Sequence, residues 1–276
     1  MSARLAARQL LPRLEAAGVP DAAMEAEVLV RSAAGMARAA YFAGETLPSG
    51  CEPRLETMVA RREAREPAAY ITGTRAFYGL ELSVGPGVLI PRPETELLVE
   101  AGLLEAARLD APIVVDVGTG SGAVAVAVAH ALPAGSGGRV LGTDVSADAL
   151  RVAATNRDSH GVELTLLRMD LLGGIGRADV VLANLPYIPS GEVDALEPEV
   201  SRWEPRVALD GGADGLALIR RLIDDCRERL RPALLALEVG CGQADAVGAY
   251  ATECGAVVQV LRDLSGIERV VCARWA

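Results

Sequence analysis

The densest chemistry in the chain lies at Ala183-Asn184-Leu185-Pro186-Tyr187-Ile188-Pro189, directly after the apolar run Val180-Val181-Leu182. That order puts the motif at the carboxyl end of a strand, where open α/β sheets bind their ligands. An amide or exocyclic amine is a poor nucleophile because its lone pair is delocalised into the adjacent π system. Two acceptors holding both N–H hydrogens favour a more pyramidal nitrogen and stabilise the positive charge that develops as it attacks. Asn184 offers a side-chain carbonyl and Leu185 a backbone carbonyl for that purpose. Pro186 stiffens the turn and biases Leu185 toward extended geometry, while Tyr187 offers a flat wall for a planar group. The rest is in-line alignment in a dry site, with no general base needed before attack. A tight turn after a strand can also use Asn and Pro for local reasons alone.

A second element supplies the electrophile's pocket. Val114-Val115-Asp116-Val117-Gly118-Thr119-Gly120-Ser121-Gly122 reads as a buried strand running into a glycine loop that opens a helix, a geometry expected to present backbone N–H groups to a ligand. Gly118, Gly120 and Ala123 also satisfy the looser dinucleotide pattern, with Asp144 near the place of a ribose-binding acid, so the loop alone does not separate S-adenosylmethionine from NAD. Asp116 favours S-adenosylmethionine, because a carboxylate beside the loop repels a pyrophosphate but suits an ammonium and a sulfonium. Asp144 precedes a helix and could merely cap it; ribose binding is the preferred reading. Asp170 closes the next strand and is placed to meet an adenine amino group, with Leu171 against the ring, although Asp is common in such turns.

These residues need a scaffold. Residues 1–72 read as short helices, with Leu55, Met58 and Val59 at i, i+3, i+4 spacing and Asp21 as an N-cap. Residues 73–92 alternate apolar residues with Gly and Pro and read as a β-hairpin linker. From residue 93 to 276 the pattern alternates: helix 94–108, strand 113–117, helix 123–131, strand 139–142, helix 147–156, then strands at 164–168, 180–183, 234–239, 257–261 and 269–273. Such alternation implies a parallel sheet with helices on both faces. The stretch 262–268 is too short for a crossover helix, so the last two strands must be antiparallel. A parallel sheet with an antiparallel end is the methyltransferase variant of the Rossmann-like α/β fold.

Bulk properties narrow the partners. With 276 residues and 51% hydrophobic content, the chain can bury a core and hold one large domain plus a small one. A formal charge of -10 argues against tight, sequence-independent nucleic-acid binding, which relies on a basic footprint over phosphates. All basic residues are Arg, read as codon bias. The five cysteines are scattered without a CxxC pair, and neither His130 nor His160 has a neighbour at ligand spacing, so no disulfide framework and no metal are expected. No apolar run is long enough to span a bilayer, which points to a cytoplasmic protein. The cluster Arg61, Arg62, Arg65 reads as a solvated helix face.

Further blocks carry a resemblance. Glu66-Pro67-Ala68-Ala69-Tyr70-Ile71-Thr72-Gly73, Phe77-Tyr78-Gly79-Leu80, Val88-Leu89-Ile90-Pro91-Arg92-Pro93-Glu94-Thr95-Glu96 and Glu204-Pro205-Arg206 through Gly215-Leu216, together with the Asn184 motif, resemble the HemK or PrmC family of release-factor glutamine methyltransferases over essentially the whole chain. The resemblance implies a class I S-adenosylmethionine methyltransferase domain with a small helical substrate-docking domain. It also implies S-adenosylhomocysteine as product and methylation of the glutamine N5 in the Gly-Gly-Gln loop of class 1 peptide-chain release factors; from the acidic charge no direct nucleic-acid binding is expected, and the oligomeric state is left open with a monomer as the expectation. The family pattern is Asn-Pro-Pro-Tyr; Leu185 departs from it, at little cost if that position gives only its carbonyl. Asn-Leu-Pro-Tyr also occurs in ribosomal-RNA adenine dimethyltransferases, so an amino-methyltransferase on adenine in RNA or DNA stays open beside methylation of a ribosomal-protein glutamine. If the Asn184 turn were only structural, a nicotinamide-dependent oxidoreductase or a silent ligand-binding module would remain.

Overall fold

Apolar β-branched runs and Ala-rich helical stretches alternate in the order their periodicity predicts, and each strand lies close to its expected span. The computed structural model describes residues 1–133 and 135–275, so positions 134 and 276 of the expected 93–276 domain lie outside the described residues. Two compact units result, one of residues 1–74 with 197–203 and the other of residues 75–196 with 204–276.

The smaller unit is helical: α1 (Ala3–Ala16), α2 (Ala22–Ala34), α3 (Arg38–Phe42), α4 (Glu52–Glu63), α5 (Ala68–Thr72) and the returning α9 (Pro198–Ser201). Its core is small and aliphatic, centred on Leu14, Leu29, Val30, Met58 and Val59. Asp21 is not the side-chain cap expected of it. It sits in the left-handed region at φ 48° with no capping bond, because the tight turn at residues 18–21 sets its backbone instead. Nor is the arginine cluster a solvated face. Arg62 is 1% exposed and pairs with Glu25 at 2.5 Å and Glu199 at 2.9 Å, while Arg65 meets Glu199 at 2.6 Å. Burying a guanidinium is tolerable only with such partners. Glu199 supplies one from far along the chain.

The larger unit begins with a hairpin, β1 (Thr74–Phe77) and β2 (Leu80–Ser83). Then come α6 (Glu96–Ala106), β3 (Ile113–Val117), α7 (Ala123–Ala131), β4 (Arg139–Asp144), α8 (Ala147–His160), β5 (Leu164–Arg168), β6 (Val180–Ala183), α10 (Ala217–Asp225), β7 (Leu234–Glu238), α11 (Ala244–Glu253), β8 (Val257–Arg262) and β9 (Glu268–Arg274). The seven strands order as β5-β4-β3-β6-β7-β9-β8. β3 pairs in parallel with both β4 and β6, so the strand order reverses about β3, and β9 runs antiparallel to β7 and β8. β3, β6 and β7 are buried throughout, which is why they read as nearly unbroken Val, Leu and Ile runs. Two apolar clusters cover the sheet, one around Val124–Val128 and Leu182, the other around Leu222, Ile223, Leu237 and Val271.

Among the described residues no helix is long and apolar enough to cross a membrane, and no group of His, Cys, Asp and Glu is arranged to hold a metal ion.

Candidate active site

A cavity of about 280 Å³ opens at the carboxyl ends of β3, β4, β5 and β6, where the sheet order reverses and chain ends diverge. Among the residues singled out by their chemistry and spacing, its lining brings together Asp116, Gly118, Thr119, Gly120, Ser121, Asp144, Asp170, Leu171, Asn184, Leu185 and Pro186. Gly122 and Tyr187 lie outside the lining.

The glycine loop turns left-handed three times, at Gly118 (φ 71°), Gly120 (φ 57°) and Gly122 (φ 80°), conformations open to glycine at little cost. At Gly122 a Cβ would also press on Ala153 at 3.0 Å. Contrary to the expectation of free amides, the loop keeps its own donors occupied. Thr119 N–H donates to the Thr143 carbonyl (2.8 Å), Gly120 N–H to the Asp144 carboxylate (3.0 Å) and Gly122 N–H to the Thr119 carbonyl (2.8 Å). Asp144 reaches the loop because β4 lies beside β3, and its other oxygen accepts from Ser146 N–H at 2.8 Å. A pyrophosphate therefore finds few donors here, whereas each Asp144 oxygen keeps acceptor capacity for hydroxyls.

Asp116 staples the loop to α7: its Oδ2 accepts from the Thr119 hydroxyl (2.6 Å) and from Ala125 N–H (3.2 Å). Burial, opposed by these two bonds, pushes its carboxyl up to about 7, with the nearby Asp144 charge adding to the rise. Asp170 is shared with Arg221 at 2.6 Å and is more than half exposed. Leu171 holds a left-handed φ of 47°, a strain met at ligand clamps, and its carbonyl accepts from the buried Thr143 hydroxyl at 3.1 Å. Asn156, 1% exposed, ties the hairpin to the loop, donating to the Ser121 and Ser83 carbonyls at 2.8 and 2.9 Å.

The Asn184 turn is clamped from two sides. Ile188 N–H donates to the Leu209 carbonyl (3.0 Å), and Gly211 N–H to the Ile188 carbonyl (2.8 Å). This accounts for the Gly211-Gly212-Ala213-Asp214-Gly215 block. A Cβ on Gly211 would stand 2.5 Å from the Pro186 carbonyl oxygen, and one on Gly215 2.2 Å from that of Tyr187. Gln243, which nothing in the sequence singled out, donates from Nε2 to the Tyr187 carbonyl (2.8 Å) and accepts from Gly240 N–H (2.9 Å). The Leu185 side chain is buried beneath the glycine loop, 3.1 Å from where a Gly118 Cβ would be, so a branched aliphatic group at 185 fills core space. The Tyr187 ring packs on Gly240 and the core rather than along the cavity, and burial pushes its hydroxyl up to about 12. Sequence reasoning gave no role to two further residues: Thr95, whose Oγ1 accepts from Asn184 Nδ2 at 3.1 Å, and Glu238, 2% exposed at the end of β7. Thr95 falls in a block quoted only for its family resemblance, and Glu238 sits at a strand end with no local motif partner.

Residues 6–73 match the family model of the PrmC N-terminal domain, and residues 93–199 match that of ribosomal protein L11 methyltransferase, PrmA. The chain is 40% identical to the release factor glutamine methyltransferase of Geobacter sulfurreducens over 93% of its length and 91% of that protein's. With the protein of the same name from Cereibacter sphaeroides it shares 41% identity over 99% of both. In fold it is similar to a methyltransferase from Pyrococcus furiosus (TM-score 0.54, 16% identity, 79% of this chain and 96% of that one). It is also similar to the Thermus thermophilus 16S rRNA N2 G1207 methyltransferase, solved with AdoMet and guanosine (TM-score 0.51, 18% identity, 74% of this chain and 50% of that one).

Proposed function

Because the chain belongs to the family of release factor glutamine methyltransferases, we propose that it transfers a methyl group from S-adenosylmethionine to the side-chain amide N5 of the Gly-Gly-Gln glutamine in class 1 peptide-chain release factors, releasing S-adenosylhomocysteine, in the cytoplasm. The observation that carries this reading is the sharing of one cavity by Asn184, Leu185 and the Gly118–Gly120 loop.

The lining fits an adenosyl ligand bearing cationic ends. Gly118 and Gly120 bring no side chain to it, Asp144 keeps acceptor capacity for ribose hydroxyls, and Leu171 offers an apolar face toward a base. Asp116, whose carboxyl burial pushes up to about 7 in the free protein, gains a reason to ionise beside an ammonium or sulfonium. Bound there, S-adenosylmethionine supplies an electrophilic methyl. Asn184 Oδ1 and the Leu185 carbonyl hold the two N–H hydrogens of the substrate amide, turning its lone pair out of conjugation and offsetting the charge that grows on nitrogen. Pro186 and the Gly211 clamp fix the turn that sets their spacing. The proton leaves after transfer, when the methylated nitrogen is strongly acidic, so no buried base is required.

The loop's occupied amides count against a nicotinamide dinucleotide, and the acidic net charge against adenine in a nucleic acid. The reading is tested by incubating the protein with tritiated S-adenosylmethionine and a release factor, then mapping the label. One methyl on the Gly-Gly-Gln glutamine is expected; labelling that persists on a Gln-to-Ala factor overturns the site. Asn184→Ala is expected to lose turnover by about 100-fold or more while cofactor affinity changes little. Equal loss of both would move Asn184 into the cofactor pocket.

A further inference from the structure

The cavity is walled by segments that lie far apart along the chain. Pro91 lines it from one and Pro205 from another, while the residue beside each, Arg92 and Glu204, stays outside the lining. These two join the walls: Arg92 Nη2 donates to Glu204 Oε1 at 2.8 Å, with the Glu204 side chain 1% exposed and that of Arg92 32%. Stability alone does not explain the pair. The second carboxylate oxygen of Glu204 is buried with no partner among the described residues, and an ion pair so enclosed returns little beyond the cost of its own desolvation. Apolar side chains of similar volume would hold the fold about as well.

What the pair holds is visible in the bonds on either side of it. The Arg92 carbonyl accepts from Thr95 N–H at 3.1 Å, and the buried Thr95 Oγ1 accepts from Asn184 Nδ2 at 3.1 Å. On the other side, the Pro205 carbonyl accepts from Ala208 N–H (2.8 Å) and the Arg206 carbonyl from Leu209 N–H (3.0 Å), while the Leu209 carbonyl takes Ile188 N–H (3.0 Å). Ile188 belongs to the Asn184 turn itself. A closed ring therefore runs from Asn184 through Thr95 and Arg92 to Glu204, on through Leu209 to Ile188, and back along the turn. The Arg92–Glu204 bond is the link that joins its two arms.

We propose that Arg92 and Glu204 form a positioning clasp that closes this ring and so fixes the Asn184 amide between the Pro91 and Pro205 walls; this rests on the role of Asn184 given above. Neither residue lines the cavity, so both act through the segments they join. With the clasp open, Thr95 and Leu209 hang on separate arms, and the acceptors at 184 and 185 lose their fixed distance from the opposite wall.

The test uses Glu204→Leu, which keeps bulk and removes the acceptor, Glu204→Gln, which restores an acceptor without charge, and Arg92→Met, which opens the ring from the other end. Turnover is read as methyl transfer to a release factor, and S-adenosylmethionine affinity by calorimetry. Glu204→Leu and Arg92→Met are expected to lower kcat by about 10- to 100-fold, since misplacing a reacting group by on the order of 1 Å can cost up to about 100-fold. Cofactor affinity stays within about twofold, because no bond of the ring comes from the glycine loop, and Glu204→Gln recovers most of the rate. Combining Glu204→Leu with Arg92→Met is expected to cost no more than the slower single change. On an Asn184→Ala background, Glu204→Leu is expected to cost less than about twofold more, since an open ring then has no amide to misplace. A Glu204→Leu enzyme with normal kcat, Glu204→Gln as slow as Glu204→Leu, cofactor affinity that falls in step with kcat, or losses that multiply on the Asn184→Ala background overturns the clasp. Should Glu204→Leu not fold, Arg92→Met decides in the same way. If Asn184→Ala itself keeps full turnover, the reading of Asn184 fails; if Asn184→Ala is slow and Glu204→Leu is not, the clasp alone fails.

Discussion

Replacing Glu238 by Gln isolates the cost of holding a carboxyl almost out of water. The side chains have nearly the same shape, and only the acid can ionise. In the folded protein, burial pushes the Glu238 carboxyl from the ordinary 4.5 to about 7, with the Thr95 hydroxyl opposing and the Glu94 charge adding to the rise, while Arg269 and Arg92 pull it down. A folded state that keeps its proton above the unfolded value is favoured fully below pH 4.5, and that advantage is lost as pH rises through about 7. The whole loss amounts to about 3 kcal/mol, at roughly 1.4 kcal/mol per factor of ten in acidity. Between pH 5 and pH 8, wild type should therefore lose about 2 to 3 kcal/mol relative to Glu238→Gln. Asp116, raised for a similar reason, is common to both proteins and cancels. The assay is urea denaturation of the full chain at half-unit pH steps, comparing the two midpoints. A constant offset would reflect the exchange of a buried O–H for NH2 and leaves the slope untouched. Curves that run parallel from pH 5 to pH 8, or a gap that widens toward acid, would refute the argument that the carboxyl is neutral in the fold.

Other perturbations follow from the same geometry. S-adenosylmethionine affinity should rise as pH goes from 6 to 8, because a cationic ligand favours the ionised form of a carboxyl resting at about 7, and calorimetry on Asp116→Asn should show that rise flattened. Gly211→Ala should lower turnover by about 100-fold with a smaller effect on cofactor affinity, since its Cβ would displace the Pro186 carbonyl 2.5 Å away and with it the Asn184 turn. Unchanged kcat would mean the clamp does not set the turn. Arg62→Ala should destabilise the helical unit by about 3–5 kcal/mol, because Glu25 and Glu199 would be left facing each other without their shared cation. A thermal midpoint within a degree of wild type would return Arg62 to the status of a surface charge.

What the chain discloses in advance is set by how local the cause is. β3, β6 and β7 are buried on both faces, so their residues must be apolar almost without interruption, and they appear in the sequence as such. The antiparallel end follows from counting, since so short a stretch between the last two strands cannot hold a crossover. The Asn184 turn and the glycine loop carry their chemistry in consecutive residues. Everything that needed a partner from elsewhere was hidden. Arg62 looked solvated because Glu199, which pairs with it, lies on a segment that leaves the larger unit and returns. Tyr187 looked like a substrate wall because its distance from Gly240 and Gln243 along the chain conceals that they hold it. The loop amides looked available because Asp144 reaches them only once β4 lies beside β3.

The same limit explains why the acidic groups were assigned roles by position when their environments differ so widely. Asp170 is more than half exposed and paired with Arg221, so solvent screens the pair and its discrimination between ligands is weak. Asp116, which accepts from the Thr119 hydroxyl, and Glu238 are both enclosed, and burial pushes each carboxyl up to about 7, so both can change state at physiological pH. They sit on opposite sides of β6 in the sheet order, Asp116 on β3 beside the glycine loop and Glu238 on β7 behind Asn184. Ionising the first would strengthen the hold on a cationic ligand, and ionising either opposes the fold. A cofactor affinity that climbs with pH while stability falls is therefore the expected consequence of placing the Asp116 carboxyl in the core beside the cavity.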